Sequence, residues 1–344
     1  MERKILLGLM VFMLISIISF TPLKATAQVK SIELKYAVFV PPTHVMNLEA
    51  KAWASEVEKR TNGRVKVTIY PGGTLLAPRM VYEGVLAGTT DIGVLPCIYN
   101  RGVWPISIAF NYSLLRFPSA NVGTHAINDI HKKYRSLKEF SVMKILYLFT
   151  TDPGLVVSRK PIRTVEEAKG LQIKGTAREF LDPLGCKLVD LPMSEAVVGL
   201  QKGTIDGAII SPDVLKGMKF ADVAKYVSPN LQLGLTGFWI GMNLNTWDSL
   251  PADIKKIIDD INQERIGVVG VAWDKAGEEG IEYAKSVGVK FITWPQEEEA
   301  KLKELLKPVR ETYIAELNGK GLPGREIMDS ITELGEKYSK KFSK

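Results

Sequence analysis

Between residues 169 and 207, short apolar runs alternate with polar segments that end in glycine. Residues 171–174 and 186–191 are apolar runs flanking a segment that Gly185 ends. A helix start follows at Ser194, Gly203 is its stop, and residues 205–210 form a third run. Strands of this length alternating with helices mark an α/β domain. Lys174 leaves the end of the first strand, where open α/β sheets bind small anions beside helix N-termini.

The same pattern occurs once before. Gly84-Val85-Leu86-Ala87-Gly88-Thr89-Thr90-Asp91 matches Gly199-Leu200-Gln201-Lys202-Gly203-Thr204-Ile205-Asp206 as a helix end, a glycine stop and an aspartate opening an apolar strand. Each is preceded by an apolar strand ending in proline, residues 65–70 before Pro71 and 188–191 before Pro192. The repeat predicts two related α/β lobes facing each other across a cleft. Asp91 and Asp206 read as turn or cap residues rather than paired catalytic carboxylates, because each follows a glycine stop by three residues. Helical spacing recurs over 50–60, with Trp53 and Val57 on one face and a stop at Asn62-Gly63. It recurs again over 253–285 and over 296–317, where Glu297-Glu298-Glu299 suits a helix start. Residues 333–344 read as a basic helical tail.

At the N-terminus, Arg3 and Lys4 precede an apolar run over 5–20, and Ala25-Thr26-Ala27 offers small residues for a cleavage site. Residues 1–27 therefore read as a secretory signal peptide; the run is short for a span of about 20 residues. The rest of the chain is long for one core and suits two domains. With 46% hydrophobic and 24% charged residues the balance is that of an ordinary soluble chain. The net charge of +7 is scattered among acidic residues. No dense basic stripe with interleaved aromatics appears, which argues against nucleic acid as a partner.

The motifs that would signal an enzyme are missing or out of context. Gly319-Lys320-Gly321-Leu322-Pro323-Gly324 fits G-x-G-x-x-G, but a helical pattern precedes it and Pro323 sits inside, so it reads as a surface loop. His44, His125 and His131 form no cluster of zinc-like spacing, and no metal or other cofactor is expected. An exported hydrolase or isomerase is the rival class, and no nucleophile–base set supports it.

Several blocks, in order, resemble one family. They are Lys169-Gly170-Leu171-Gln172-Ile173-Lys174, Leu191-Pro192-Met193-Ser194-Glu195 and Gly199-Leu200-Gln201-Lys202-Gly203-Thr204-Ile205-Asp206-Gly207. Gly63-Arg64-Val65-Lys66-Val67 leading into Tyr70-Pro71-Gly72-Gly73 is another, as is Met242-Asn243-Leu244-Asn245-Thr246-Trp247 with Leu250-Pro251. Together they resemble the DctP family, the secreted substrate-binding proteins of tripartite ATP-independent periplasmic (TRAP) transporters, over nearly all of the chain after residue 28. The resemblance implies an α/β, two-lobed periplasmic binding protein (type II-like) with a hinge, a ligand cleft between the lobes and a long lobe-spanning helix within 253–285. Lobe I is expected over 28–151 plus 237–277, and lobe II over 152–236 plus 278–344. The chain would cross near 151–153, near 235–237 and within the long helix. Cys97 and Cys186 then fall in different lobes, and a bond between them would lock a moving cleft, so two separate thiols are expected. The resemblance further implies a periplasmic monomer that performs no chemistry and passes a small organic acid to small and large TRAP membrane subunits. A receptor for an ATP-driven importer or a sensor kinase is the alternative within the binding class.

The family carries an arginine after the K-I of the strand, which grips a substrate carboxylate through two parallel hydrogen bonds; here that position is Lys174. Lysine is a point charge and cannot form the planar fork, though one charge-assisted hydrogen bond is still worth about 1.5–3 kcal/mol. Arg178 and Arg101 are the other candidate anchors. The remaining family pocket positions fall on Phe39 and His44 in the first strand-to-helix turn, Pro96 and Tyr99 after the Asp91 strand, and Gly154 where some members carry a second basic residue. They continue with Met193 ahead of the Ser194 helix, Ile210 after Asp206-Gly207, and Phe238 and Trp239 after the second crossing. Most are apolar or aromatic, so the cleft should have one cationic end and a greasy remainder. Such a cleft disfavours sugar acids, whose hydroxyls would lose water unreplaced, and dicarboxylates, which need two cations. An aromatic or branched monocarboxylate, or a 2-oxo or 2-hydroxy relative, fits it.

Overall fold

A computed structural model describes residues 31–113, 117–175, 177–229 and 234–343, so the expected signal peptide lies outside the described residues. The strands are β1 (Ile32–Ala37), β2 (Val65–Tyr70), β3 (Ile92–Pro96), β4 (Lys144–Thr150), β5 (Leu155–Ser158), β6 (Gln172–Lys174), β7 (Lys187–Val189), β8 (Gly207–Ile210), β9 (Tyr226–Ser228), β10 (Gly237–Met242) and β11 (Lys290–Phe291). They form two sheets, ordered β2-β1-β3-β10-β4 and β11-β9-β5-β8-β6-β7. Within the first sheet β1 runs parallel to β2 and β3, while β10 is antiparallel to β3 and β4. Every residue of β3 and β10 is buried, which is why both read as unbroken apolar runs rather than alternating ones.

The internal repeat is a structural device. Asp91 donates its backbone N–H to Lys35 O (3.1 Å) and accepts the Lys35 N–H on Oδ2 (2.8 Å). Asp206 does the same with Gln172, at 2.8 and 2.9 Å. Each aspartate thus fixes the register of a parallel pair, β1 with β3 and β6 with β8. The preceding glycines, Gly88 and Gly203, sit at φ 74° and 79°, the left-handed region that ends a helix.

Among the helices are α1 (Val45–Arg60), α2 (Val81–Leu86), α3 (Ala120–Tyr134), α4 (Met193–Lys202), α5 (Asp213–Gly217), α6 (Ala252–Ser286), α7 (Gln296–Gly319) and α8 (Gly324–Phe342). Helix α1 begins five residues earlier than the apolar spacing suggests, because His44 Nδ1 accepts the Met46 N–H (3.1 Å) and caps it. Helix α4 begins one residue before Ser194, with Pro192 as its N-cap. The Gly319–Gly324 segment is the turn between α7 and α8, with no strand ahead of it. Both cysteines are free and buried. Among the described residues no helix is long and apolar enough to cross a membrane.

The chain passes between sheets after β4, after β9 and along α6. At about 1.5 Å per residue, the 35 residues of α6 are long enough to lie against both lobes. Trp53 Nε1 of α1 donates to Asn262 Oδ1 (2.8 Å) near its start. Glycines then allow close approach. A Cβ at Gly270 would stand 2.5 Å from Asn121 Cα, one at Gly277 2.5 Å from Asp152 Oδ2, and one at Gly280 2.1 Å from Pro212 O.

The C-terminal helix departs from the expected lobe boundary. Helix α8, expected with lobe II, packs on α3: Tyr338 donates to Asp129 Oδ2 (2.6 Å), Lys133 pairs with Glu326 (2.9 Å), and the His125 ring lies 5.2 Å from that of Tyr338. Helix α7 bridges the lobes. Its Glu298 accepts the Val165 N–H (2.9 Å), while Tyr313 donates to Pro105 O (2.6 Å) and stacks on Tyr112 at 3.9 Å. Residues Ile327, Met328, Ile331 and Tyr338 supply α8 with an apolar face, and such a face names no partner.

Gly280→Ala should destabilise the protein by about 1–3 kcal/mol through overpacking against Pro212, despite alanine's better helix propensity. Gly267→Ala, on the same helix with nothing within 4 Å, should instead be neutral or gain up to about 1 kcal/mol. Thermal and urea unfolding of both variants measure this; a gain at both positions would contradict the close approach of α6.

Candidate functional site

Strand β6 lies between β8 and β7 and ends at Lys174. The neighbours leave this side chain 1% exposed, and among the described residues no hydrogen bond or ion pair holds its ammonium. Burial pushes its pKa down to about 8; Asp190 opposes that shift and Arg79 adds to it.

Lys174 lines a cavity between the two sheets together with Phe39, His44, Pro96, Tyr99, Gly154, Met193, Ile210 and Phe238. Nine of the twelve residues singled out in the sequence therefore line one space. The Tyr99 ring lies 6.4 Å from Phe39, and its hydroxyl accepts the Met193 N–H across the cleft (3.3 Å). Phe238 stacks on Phe149 at 4.8 Å, and Phe149 in turn packs on Trp273 at 4.4 Å. The backbone N–H of Gly154 donates to Gly234 O (3.0 Å), tying two of the crossings together.

Trp239 and Arg178 do not line the cavity. Successive strand residues point to opposite faces, so with Phe238 turned inward Trp239 faces away and stacks on Trp104 at 5.7 Å. Arg178 is exposed and lies 3.8 Å from Asp182. Arg101, the third candidate anchor, is already neutralised: its guanidinium binds Glu179 (2.6 Å) and Glu316 (2.9 Å).

Sequence reasoning misses Asp213, Asn111 and Trp273, which also line the cavity. Because His44 Nδ1 accepts the Met46 N–H, the ring proton sits on Nε2, which lies 3.0 Å from Asp213 Oδ2; both side chains are 2% exposed. Asp213 stands three residues past the end of β8, the kind of strand-end position that could have drawn attention to it. Nothing local distinguishes Trp273 from other buried aromatics. Four contacts, His44–Asp213, Tyr99–Met193, Arg79–Asp190 (3.0 Å) and Arg101–Glu179, cross between the lobes, so the cleft is closed in this structure. Among the described residues no group of His, Cys, Asp and Glu could hold a metal ion.

Lys174→Met removes a charge that folding buries. The folded-state pKa lies below the 10.5 of a free lysine, so the unfolded chain binds more protons between about pH 8 and 10.5 and the empty protein gains stability across that window. The variant should therefore be more stable than the parent at pH 7, with the difference shrinking toward pH 10.5. A difference in unfolding free energy that stays constant over that range would show the ammonium to be solvated.

The model of bacterial extracellular solute-binding protein family 7 (DctP) matches residues 36–316. A TRAP periplasmic solute-binding protein from Desulfovibrio salexigens, solved in an open form, is 32% identical; the match covers 91% of this chain and 98% of that one at a TM-score of 0.78. A TRAP solute-binding protein from Rhodoferax ferrireducens, solved with co-purified benzoate, is 25% identical over 91% of this chain and 100% of that one, at a TM-score of 0.84. A solute-binding protein of Albidiferax ferrireducens is 28% identical over 62% of this chain, which spans 64% of that protein's length.

Proposed function

Because the chain belongs to bacterial extracellular solute-binding protein family 7, whose members are solute receptors, we propose that its cavity captures a small organic monocarboxylate with an apolar or aromatic body. The protein then delivers it in the periplasm to the small and large membrane subunits of a TRAP transporter. It acts as a monomer and performs no chemistry on its cargo.

The observation that carries this reading is the buried ammonium of Lys174, unpaired among the described residues and facing a cavity walled by Phe39, Tyr99, Met193 and Phe238. An incoming carboxylate supplies the missing counter-charge. One cation neutralises one carboxylate, which supports a monoacid over a diacid. Without an arginine fork, lysine fixes the position of the carboxylate but not its plane, so the flat walls set the ligand's orientation. The benzoate held by the Rhodoferax relative supports an aromatic body. Since the lining comes from both lobes, the ligand contacts them together only in the closed form, and that difference shifts the population toward closure.

A thermal-shift screen over benzoate, phenylpyruvate, 4-methyl-2-oxopentanoate and succinate tests the ligand class. A monocarboxylate at about 100 times its Kd should add about 2.7 kcal/mol of stability, and succinate should add far less. Lys174→Met should weaken the best monocarboxylate at least tenfold by calorimetry, with Lys174→Arg retaining most of the affinity. Unchanged affinity in the methionine variant would remove Lys174 as the anchor. Uptake by the reconstituted membrane subunits should follow an ion gradient and persist without ATP; a requirement for ATP would favour the other importer class.

A further inference from the structure

The cavity carries unpartnered polar atoms besides the ammonium of Lys174. Thr151 is satisfied: its hydroxyl donates to Asp152 O (2.9 Å) and accepts the Thr236 N–H (3.2 Å). Tyr99 is engaged with Met193. Four lining residues are not satisfied; one is His44, whose Nε2 lies 3.0 Å from Asp213 Oδ2 without making a hydrogen bond to it. Asp213 Oδ1 and Asn111 Oδ1 are buried acceptors without a donor, and Trp273 Nε1 is a buried donor without an acceptor. Asp213 and Asn111 are each 4% exposed and Trp273 1%. Buried polar groups in native proteins are almost always paired, and each orphan costs roughly 1–3 kcal/mol.

Their placement separates them from the ammonium. Asp213 Oδ2 lies 3.0 Å from His44 Nε2, and the Trp273 ring centre lies 6.4 Å from that of His44, so these two orphans neighbour one imidazole. Asp213 acts electrostatically on Asp152, in the crossing after β4. Lys174 is acted on instead by Arg79 and Asp190, the rim pair that also acts on Tyr99. Lys174 ends β6 opposite Ala208 of β8, and Asp213 lies five residues beyond Ala208, past the end of that strand, so cation and carboxylate stand apart in the lining.

A second carboxylate on the ligand would face that of Asp213. A purely apolar end would leave both acceptors and the indole N–H unpaired. A methoxy group could accept from Trp273 but could give nothing to Asp213. A hydroxyl both donates and accepts. Resting on the reading of the site as a monocarboxylate receptor, we infer that it selects acids bearing a hydroxyl at the end remote from the carboxylate, with that hydroxyl docked between Asp213 and Trp273.

Calorimetry on matched acids tests this. The sets are benzoate with its 3- and 4-hydroxy and 3- and 4-methoxy forms, and pentanoate with 5-hydroxy- and 5-methoxypentanoate. In at least one set a hydroxy acid should bind ten- to a hundredfold more tightly than its parent, and its methyl ether should lose that gain. Trp273→Phe, which keeps the ring and removes only the N–H, should weaken the hydroxy acid at least threefold more than the parent acid. Asp213→Ala, if it folds, should abolish the preference. Hydroxy, methoxy and parent acids binding alike would overturn the inference and leave the monocarboxylate reading standing. Binding of none of the acids would overturn both.

Discussion

A lysine ammonium buried at the end of a three-residue strand, with no carboxylate upon it among the described residues, is the constraint from which the rest follows. An unpaired charge taken out of water costs several kcal/mol. The protein bears this cost partly by loosening the proton on Lys174. A bound carboxylate removes it. Because part of the cavity wall, Phe39, Tyr99 and Phe238, comes from the opposite lobe, that stabilisation is largest when the cleft is shut. Had Asp190 or another protein carboxylate closed on Lys174, the ligand would have met an already neutral site and closure would have gained little from it.

Two halves make the device work. Asp91 and Asp206 lock equivalent parallel strand pairs, β1 with β3 and β6 with β8. The chain crosses between the halves after β4, after β9 and along α6, whose glycines at 270, 277 and 280 bring it against both lobes. Asp152 sits where these meet: its Oδ1 accepts the Ala120 N–H (3.0 Å) at the start of α3, and burial together with Asp274 pushes its pKa up to about 8. With α7 spanning the lobes and α8 returned to α3, the C-terminal region also braces the first half.

What the sequence discloses is what local chemistry governs. The glycine stops and following aspartates are backbone devices, and they reveal both the strands and the two-fold repeat. Lys174 stands out because a charge ending an apolar strand needs a reason. Strand parity hides the rest: Phe238 and Trp239 are neighbours with similar side chains, and only the facing of β10 sends one to the cavity and the other to Trp104. Arg101 is no anchor because Glu179 and Glu316, far off in sequence, already hold it. The surroundings of Asp213 escape for the same reason, since His44, Asp213 and Trp273 come from three distant segments and meet only through tertiary packing. The partner of α8 is likewise invisible in its own periodicity.

The most direct test is the proton balance of binding. Calorimetric titration of the intact protein with its best monocarboxylate near pH 9, in buffers of different ionisation enthalpy, reads the protons taken up on binding. If Lys174 is buried, largely neutral when the cavity is empty and recharged by the ligand's carboxylate, most of one proton should be taken up per ligand, falling to none at pH 6 and vanishing in Lys174→Met. Binding without proton uptake at pH 9 would contradict the account.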